Sequence, residues 1–408
     1  MGMANPYQQY LSRYAETEIA LLKDFEFPHA YSHVLVIPVF NEQPVFLQSL
    51  LELSSAQNAL IVLVINQPRH YGPCEANQQL WQWLQDNLLL QHSHQQLHLF
   101  NRDYASLITV DRFSQNNQLD PKQGVGLARK IGCDIAAQLI QQQVVTSRWI
   151  HTTDADATLP PDYFQRTESL LGSAAVYPFL HTGGAEPVSA ATRIYEQSLR
   201  YYVDGLAWAN SPYAFHTIGS CLAINANDYC RVRGFPKRSG GEDFYLLNKL
   251  AKLGSVISLN GTPIEIEARR SQRTPFGTGP AVEKLLALPD IHQYPSYDPH
   301  VFSELKILLE LLSNWWQVRA THIRELSGLS AASRVACETL GIDNLFLHLH
   351  KQAQSPAMAI RHINHWFDGF RTLKFIHLLQ ASDYPPVPLA DALAQASTLF
   401  QSVEEVSL

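Results

Sequence analysis

Apolar and polar positions alternate along this chain in two different rhythms. Val34 to Val39 and Ala59 to Ile65 are continuous, β-branched runs of strand length, the signature of strands buried on both faces. A third run, from Val144 to Ile150, ends on Asp154-Ala155-Asp156 and a Pro-Pro pair, and is read as a strand stopping where carboxylates begin. Between these runs the apolar positions fall at helical spacing. Helices are predicted over 7–25, from about Pro44, over QQLWQWLQDNLL, and from Gly124 through IGCDIAAQLIQQQ. A short strand is expected at 98–101 and a polar loop at 114–123. Strands that alternate with helices predict an α/β fold around a mostly parallel sheet.

Later in the chain the pattern loosens. SAAVYPFL, Thr217 to Asn225 and Val256 to Leu259 are expected strands. ATRIYEQSLRYYVDGLAWAN is a long helix, and FYLLNKLAKLG a helix closed by Gly254. Residues 268–280, ARRSQRTPFGTGP, read as a basic loop rich in Gly and Pro, and beyond about 281 strands give way to helical patterns. The expected organisation is an N-terminal helix over 1–30, an α/β domain over 31–280 and a helical C-terminal region over 281–408. The run Trp366-Phe367-Asp368-Gly369-Phe370-Arg371 is expected to dock on the α/β domain.

Composition narrows the function. With 46% hydrophobic and 16% charged residues the 408-residue chain is globular, and a formal charge of −7 argues against nucleic acid and anionic membranes as partners. No apolar run reaches the length of a membrane span. The start, MGMANPYQQYLSRYAE, lacks the basic-then-apolar order of a secretory signal. Five scattered cysteines without C-x-x-C suit free thiols, so a cytoplasmic location is expected.

Candidate chemistry starts at the strand ends. Strand alternation places Asp154 and Asp156 on one side, where two crowded like charges call for a cation or strong donors. Asp-x-Asp alone more often marks a solvated turn. Pro38, Phe40, Asn41 and Glu42 close the first strand and Asn66 the second, where open α/β sheets bind ligands. Gly124 and Gly126 permit close backbone approach, Arg129 can reach a ligand's base or phosphates from its helix, and Lys130 is expected at the surface. Glu242 and Asp243 open a helix after two glycines, and its dipole favours their ionised forms. Arg269, Arg270 and Arg273 read equally as an anion clamp and as a solvated loop. His362-x-x-His365 lacks a third ligand, and His151 reads as a packed strand histidine.

Four of these stretches, in order, resemble a GT-A glycosyltransferase of the large family-2 type: IPVFNE, GVGLARKIGCDIA, Asp154-Ala155-Asp156 and GGEDFYLLNKLAKLG. The resemblance spans residues 34 to about 260 and implies a Rossmann-like GT-A domain. It implies transfer of a hexose from a nucleotide-diphosphate sugar to a hydroxyl acceptor, a small molecule, glycan or lipid, by an inverting and non-processive enzyme. Asp156, with Asp154, would hold Mg²⁺ or Mn²⁺. Pro38, Phe40, Asn41, Glu42, Asn66, Gly126, Arg129, Asp154, Arg270 and Arg273 would bind the donor. Asp243 would be the base, with Glu242 orienting the acceptor. The family often carries Asp where this chain has Asn66. Retaining enzymes of the glucosyl- or mannosylglycerate synthase kind share the Asp-x-Asp and are the nearest rival, followed by a non-catalytic nucleotide-sugar-binding protein.

Overall fold

The computed structural model describes residues 6–102, 105–271, 273, 275–319, 326 and 328–400; Thr274 of the basic loop lies outside them. The chain divides into two compact units, Met1–Ala185 with Thr217–Pro280, and Glu186–His216 with Ala281–Leu408. The sequence reading kept 186–216 with the strands; contacts assign this stretch to the helical unit.

In the first unit the chain forms α1 (Pro6–Arg13), β1 (His33–Val39), α2 (Phe46–Gln57), β2 (Ala59–Asn66), α3 (Glu75–Asn87), β3 (Leu89–His94), β4 (Leu97–Arg102) and β5 (Ala105–Arg112). Next come α4 (Gly124–Gln141), β6 (Trp149–Thr152), β7 (Ala157–Thr158), α5 (Gln165–Glu168), β8 (Ala174–Val176) and β9 (Phe179–Thr182). After α6 (Val188–Trp208), which belongs to the second unit, follow β10 (Leu222–Asn225), α7 (Ala226–Arg231), α8 (Glu242–Leu250), β11 (Val256–Ser258) and β12 (Ile264–Glu267). Nine strands make one sheet in the order β11-β8-β10-β6-β1-β2-β5-β4-β3, and β7-β12-β9 make a small second sheet. In the large sheet only β4 and β10 run against the rest, so it is mostly parallel. Every residue of β1 and β2 is buried. Since successive side chains face opposite ways, both faces of the sheet centre are covered.

Several boundaries differ from the sequence pattern for identifiable reasons. The helix expected over 7–25 is α1 followed by a 3₁₀ turn, Thr17–Asp24. Between them Glu16 is extended, and its N–H is drawn to Asp134 Oδ2 at 2.8 Å. The strand expected from Val144 starts at Trp149, because Val144 and Val145 pair with Tyr31 outside the sheet. Thr217 to Cys221 turns instead of pairing, so β10 begins only at Leu222.

α4 is buried along nearly its whole length, Lys130 included. Lys130 is therefore not a surface residue. Its Nζ donates to Asp134 Oδ2 at 2.9 Å and to Tyr10 Oη at 2.6 Å, while Tyr10 and Tyr229 donate to Asp134 Oδ1 at 2.5 and 2.7 Å. A helix covered by the sheet on one side and by α1 and α7 on the other must pair its charges internally. Gly132 lies so close to Val36 of β1 that any larger side chain would collide with it.

The second unit is built from α6 and, among the described residues, nine further helices or short helical turns after residue 277, chiefly α10 (His300–Ser313), α12 (Ala331–Leu340), α14 (Pro356–Trp366) and α15 (Gly369–Gln380), with α9 (Thr278–Leu286), α11 (Trp315–Val318) and α13 (Ile342–Gln352) among them. Its core joins Tyr201, Phe302, Leu305, Trp315, Phe375 and Leu379. Tyr201 of α6 thus lies in the core with Tyr202 and Trp208 packed against it, and Gly205 makes room for the Phe302 ring. Strands do not vanish wholly: Pro295–Ser296 pairs with Val387–Pro388. The aromatic run at 366–371 makes a helix corner inside this unit, where Asp368 caps α15 by accepting from Arg371 N, and Arg371 lies over the Trp366 ring. No described helix is long and apolar enough to cross a membrane, and all five cysteines are free and buried.

His151 of β6 is fully buried, its Nε2 3.0 Å from Thr167 Oγ1 and its Nδ1 3.3 Å from Val34 O. Burial, aided by His33, pushes its pKa from 6.5 down to about 3. Below pH 6.5 the unfolded chain takes up a proton that the folded chain refuses. Stability is complete above that pH and declines toward pH 3, by up to about 1.4 kcal/mol per pH unit from this group. Chemical unfolding between pH 8 and 5 should show a slope of this sign, and His151→Gln should reduce it by about that amount, the other histidines depressed by burial keeping the rest. An unchanged slope in the variant would place the titrating group elsewhere.

Candidate active site

Because β6, β1 and β2 are parallel neighbours, their carboxyl ends lie on one edge of the sheet. Asn41-Glu42, Asn66 and Asp154-Asp156 therefore come together from distant parts of the sequence. The turn after β1 is made by Asn41 in the left-handed region, φ 56°, which a short polar side chain tolerates. Its N–H donates to Asn77 Oδ1 at 3.0 Å, and Asn77 Nδ2 donates to Asn66 O at 3.0 Å. Asn77, a fully buried residue of α3 that the motif reading missed, thus fastens the ends of β1 and β2 to each other. Asn66 is turned inward, donating to Val39 O at 2.9 Å. Pro38 is buried within β1, whereas Phe40 packs its ring edge-on against Tyr71, a partly exposed aromatic that the motifs did not mark.

Arg129 joins three elements. From α4 its Nε donates to Glu242 Oε1 at 2.9 Å, Nη1 to Thr152 Oγ1 at 2.8 Å and Nη2 to Asp154 Oδ1 at 2.6 Å. It is 3% exposed, so only this complete set of acceptors makes its charge tolerable. Asp154 and the neighbouring carboxylates hold it ionised against the cost of burial. Gly219, in the turn before β10, lies flat on the guanidinium: a Cβ there would stand 2.6 Å from Nη2. Nothing near Gly219 in sequence announces this. Gly126 has a comparable task, since its N–H donates to Arg238 O at 2.9 Å and a Cβ would strike Pro236 O and Arg238 O. Its closeness is to this chain's own backbone.

The Asp-x-Asp sits beyond the strand, in a turn where Ala157 N donates to Asp154 O at 3.2 Å. A turn, and not the pleat, sets the two carboxylates. Asp154 faces Arg129, while Asp156 Oδ2 accepts from Arg269 Nη2 at 2.6 Å. Burial raises the Asp156 pKa, as do the Asp154 and Glu42 charges, and Arg269 opposes them. Arg269 also grips both oxygens of Glu42, Nη1 lying 2.9 Å from Oε2, and Arg273 Nη1 donates to Glu42 and, at 3.0 Å, to Phe40 O. Glu42 is consequently held below the ordinary carboxylate range despite its burial.

Of the loop arginines, Arg269 and Arg273 reach the site and Arg270 is exposed. The physical reason is β12: it pairs antiparallel with β7, which directly follows Asp156, and Glu267 N donates to Asp156 O at 3.1 Å. Arg269 leaves that strand beside Asp156. The strand at 264–267 was not expected from the sequence, so the motif reading had no register by which to rank the arginines.

Glu242 and Asp243 start α8 after Gly241, whose φ of 68° suits glycine. Glu242 is turned inward on Arg129 and is 4% exposed. Asp243 is the more open of the two, and accepts from Phe244 N at 2.7 Å. Its pKa is pushed up to about 7 by burial and then by the Glu242 charge, which outweigh the helix N-terminus and Arg129. Phe276, more than half exposed, lies over Gly240 and Gly241.

Could these residues hold a metal? Among the described residues no group of three or more His, Cys, Asp or Glu is placed to do so. His362 meets His348 across 3.2 Å without a third partner of that kind. Asp154 and Asp156 offer hard oxygens only, and a small divalent cation is commonly bound through one or two carboxylates with the rest of its shell from water and substrate phosphate. That donor set fits Mg²⁺ or Mn²⁺ arriving with a ligand.

Gly219→Ala should displace Arg129 and lower the unfolding free energy of this unit by about 1–3 kcal/mol, the usual cost of overpacking. Gly72→Ala, with nothing within 4 Å of its Cβ, should stay within about 0.5 kcal/mol. Equal stability of the two variants would show that Arg129 yields freely. No protein-family profile matches this chain and no curated protein does either, so its function is argued from these residues.

Proposed function

We propose that this protein is a cytoplasmic GT-A glycosyltransferase that moves a hexose from a nucleotide-diphosphate sugar to a hydroxyl acceptor, with Mg²⁺ or Mn²⁺ and with inversion at the anomeric carbon. The observation that carries the reading is the meeting of Asp154, Asp156, Asp243 and three arginines at the carboxyl ends of β1, β2 and β6. Dissimilar chemistry is concentrated there: a half-open carboxyl poised near neutrality, and carboxylates already paired with cations. Such a division of ionisation states is what general-base chemistry beside a charged leaving group requires.

In this reading the turn after β1 and the Phe40–Tyr71 corner receive the nucleoside, and Arg273 and Arg269 receive the diphosphate. Asp156 with Asp154 would hold the divalent ion, which offsets the charge growing on the leaving diphosphate. Arg129 holds Asp154 and Glu242 in place. Asp243 accepts the proton of the attacking hydroxyl as its oxygen bonds to the anomeric carbon and the bond to the diphosphate oxygen breaks. Glu242, buried beside it, keeps Asp243 basic enough for that proton. A direct displacement of this kind inverts the anomeric centre.

Three measurements test the assignment. Calorimetry with a panel of nucleotide sugars should find one whose binding is strengthened by Mn²⁺, and Asp156→Ala should abolish the strengthening while leaving the fold intact. Affinity that is indifferent to EDTA would remove the metal from the scheme. With that donor, Asp243→Asn should bind normally but transfer roughly 10²- to 10⁴-fold more slowly. The rate of the native enzyme should climb with pH through about 7, as the Asp243 carboxyl loses its proton, and the variant should lack that limb. Proton NMR of the first product reports its configuration: an α-linked donor should yield a β-linked product. Retention, or unimpaired Asp243→Asn turnover, would favour the glycerate-synthase-like class.

A further inference from the structure

Arg269 already satisfies the carboxylate that the proposed function gives to a divalent ion. Its Nη2 lies 2.6 Å from Asp156 Oδ2, its Nη1 2.9 Å from Glu42 Oε2, and Nη2 also meets Glu42 Oε1. Its Nε is buried with no hydrogen-bond partner. A donor without an acceptor inside a protein is costly, so the present carboxylate partners leave part of this guanidinium's bonding capacity unmet. Glu42 would not be stranded by that movement, because Arg273 donates to it as well.

A divalent ion held by Asp156 would lie close to the Arg269 guanidinium, and two positive charges at that distance repel. A diphosphate changes the balance. It presents several anionic oxygens that can engage the fork of an arginine and so replace the single Asp156 oxygen to which Nη2, shared with Glu42, now donates. We propose that Arg269 is an internal counter-cation that keeps Asp156 closed to bare metal, and that the diphosphate of the donor, by engaging Arg269, opens Asp156 so that metal and diphosphate enter cooperatively. The inference rests on Asp156 being the metal-facing carboxylate of the proposed function. It adds an order of assembly: no metal-first complex forms, and the ion arrives with the substrate.

The test reads binding, not turnover. Mn²⁺ alone is titrated into the full-length protein and followed by the loss of the free-ion electron paramagnetic resonance signal. Arg269→Gln should bind bare Mn²⁺ at least tenfold more tightly than the native protein, and adding Asp156→Asn to that variant should remove the gain. Equal Mn²⁺ affinity in native and Arg269→Gln proteins overturns the proposal. A second measurement needs no variant. Native protein should take up Mn²⁺ at least tenfold more tightly when inorganic pyrophosphate is present, after allowance for the ion that pyrophosphate itself binds; tight uptake of bare Mn²⁺ also overturns the proposal. If no nucleotide sugar binds, glycosyl transfer fails as the function, while the native and Arg269→Gln titrations still decide whether Arg269 guards Asp156.

Discussion

The site depends on one buried charge. A guanidinium withdrawn from water must find acceptors for its donors, and Arg129 finds them on Glu242, Thr152 and Asp154. Because those acceptors come from the start of α8 and the end of β6, satisfying Arg129 fixes both relative to α4. The glycine at 219 belongs to the same constraint, since the turn before β10 can lie against the guanidinium only without a side chain. Asp243 inherits its character from this arrangement. Held next to a Glu242 that Arg129 keeps in place, it sits where a second negative charge is resisted, and its proton is retained to about pH 7.

From Arg129 the charges continue in alternation to Asp154, then from Asp156 to Arg269, Glu42 and Arg273. Charges crowded at a sheet edge are stable only while each has an opposite neighbour, and here the chain supplies those neighbours from a loop far away in sequence. An anionic ligand would enter a place where cations are already assembled but are spent on internal carboxylates. Its affinity would therefore reflect an exchange of partners and not simple addition.

A different solution is used behind the site. Lys130 and Asp134 lie one helical turn apart on α4, roofed by Tyr10 and Tyr229. Both members of this pair are buried. By drawing Glu16 N to Asp134 it also ends α1 and directs the chain toward the sheet. Two adjacent basic residues, Arg129 and Lys130, thus serve separate networks, because neighbouring helical positions point about 100° apart.

What the sequence alone determined is the local grammar. Unbroken β-branched runs required strands covered on both faces, helical spacing placed α2, α3 and α4 between them, and the polar residues that end each strand marked the edge where a site could form. The carboxylates and Arg129 were legible because each lies at a recognisable element boundary. What only the tertiary structure decided is which way those residues turn. Arg269 meets Asp156 because β12 pairs with β7; Glu242 faces inward because Arg129 is there; Lys130 is buried because α1 and α7 cover α4; and 186–216 joins the helical unit because Gly205 admits Phe302. Each outcome is set by a partner beyond the reach of local pattern, 113 positions away for Arg129 and Glu242 and for Asp156 and Arg269 alike, and 120 for Lys130 and Tyr10. Periodicity constrains the nearest turn or pleat of backbone, whereas charge pairing and close packing act across space, wherever the fold brings two surfaces together.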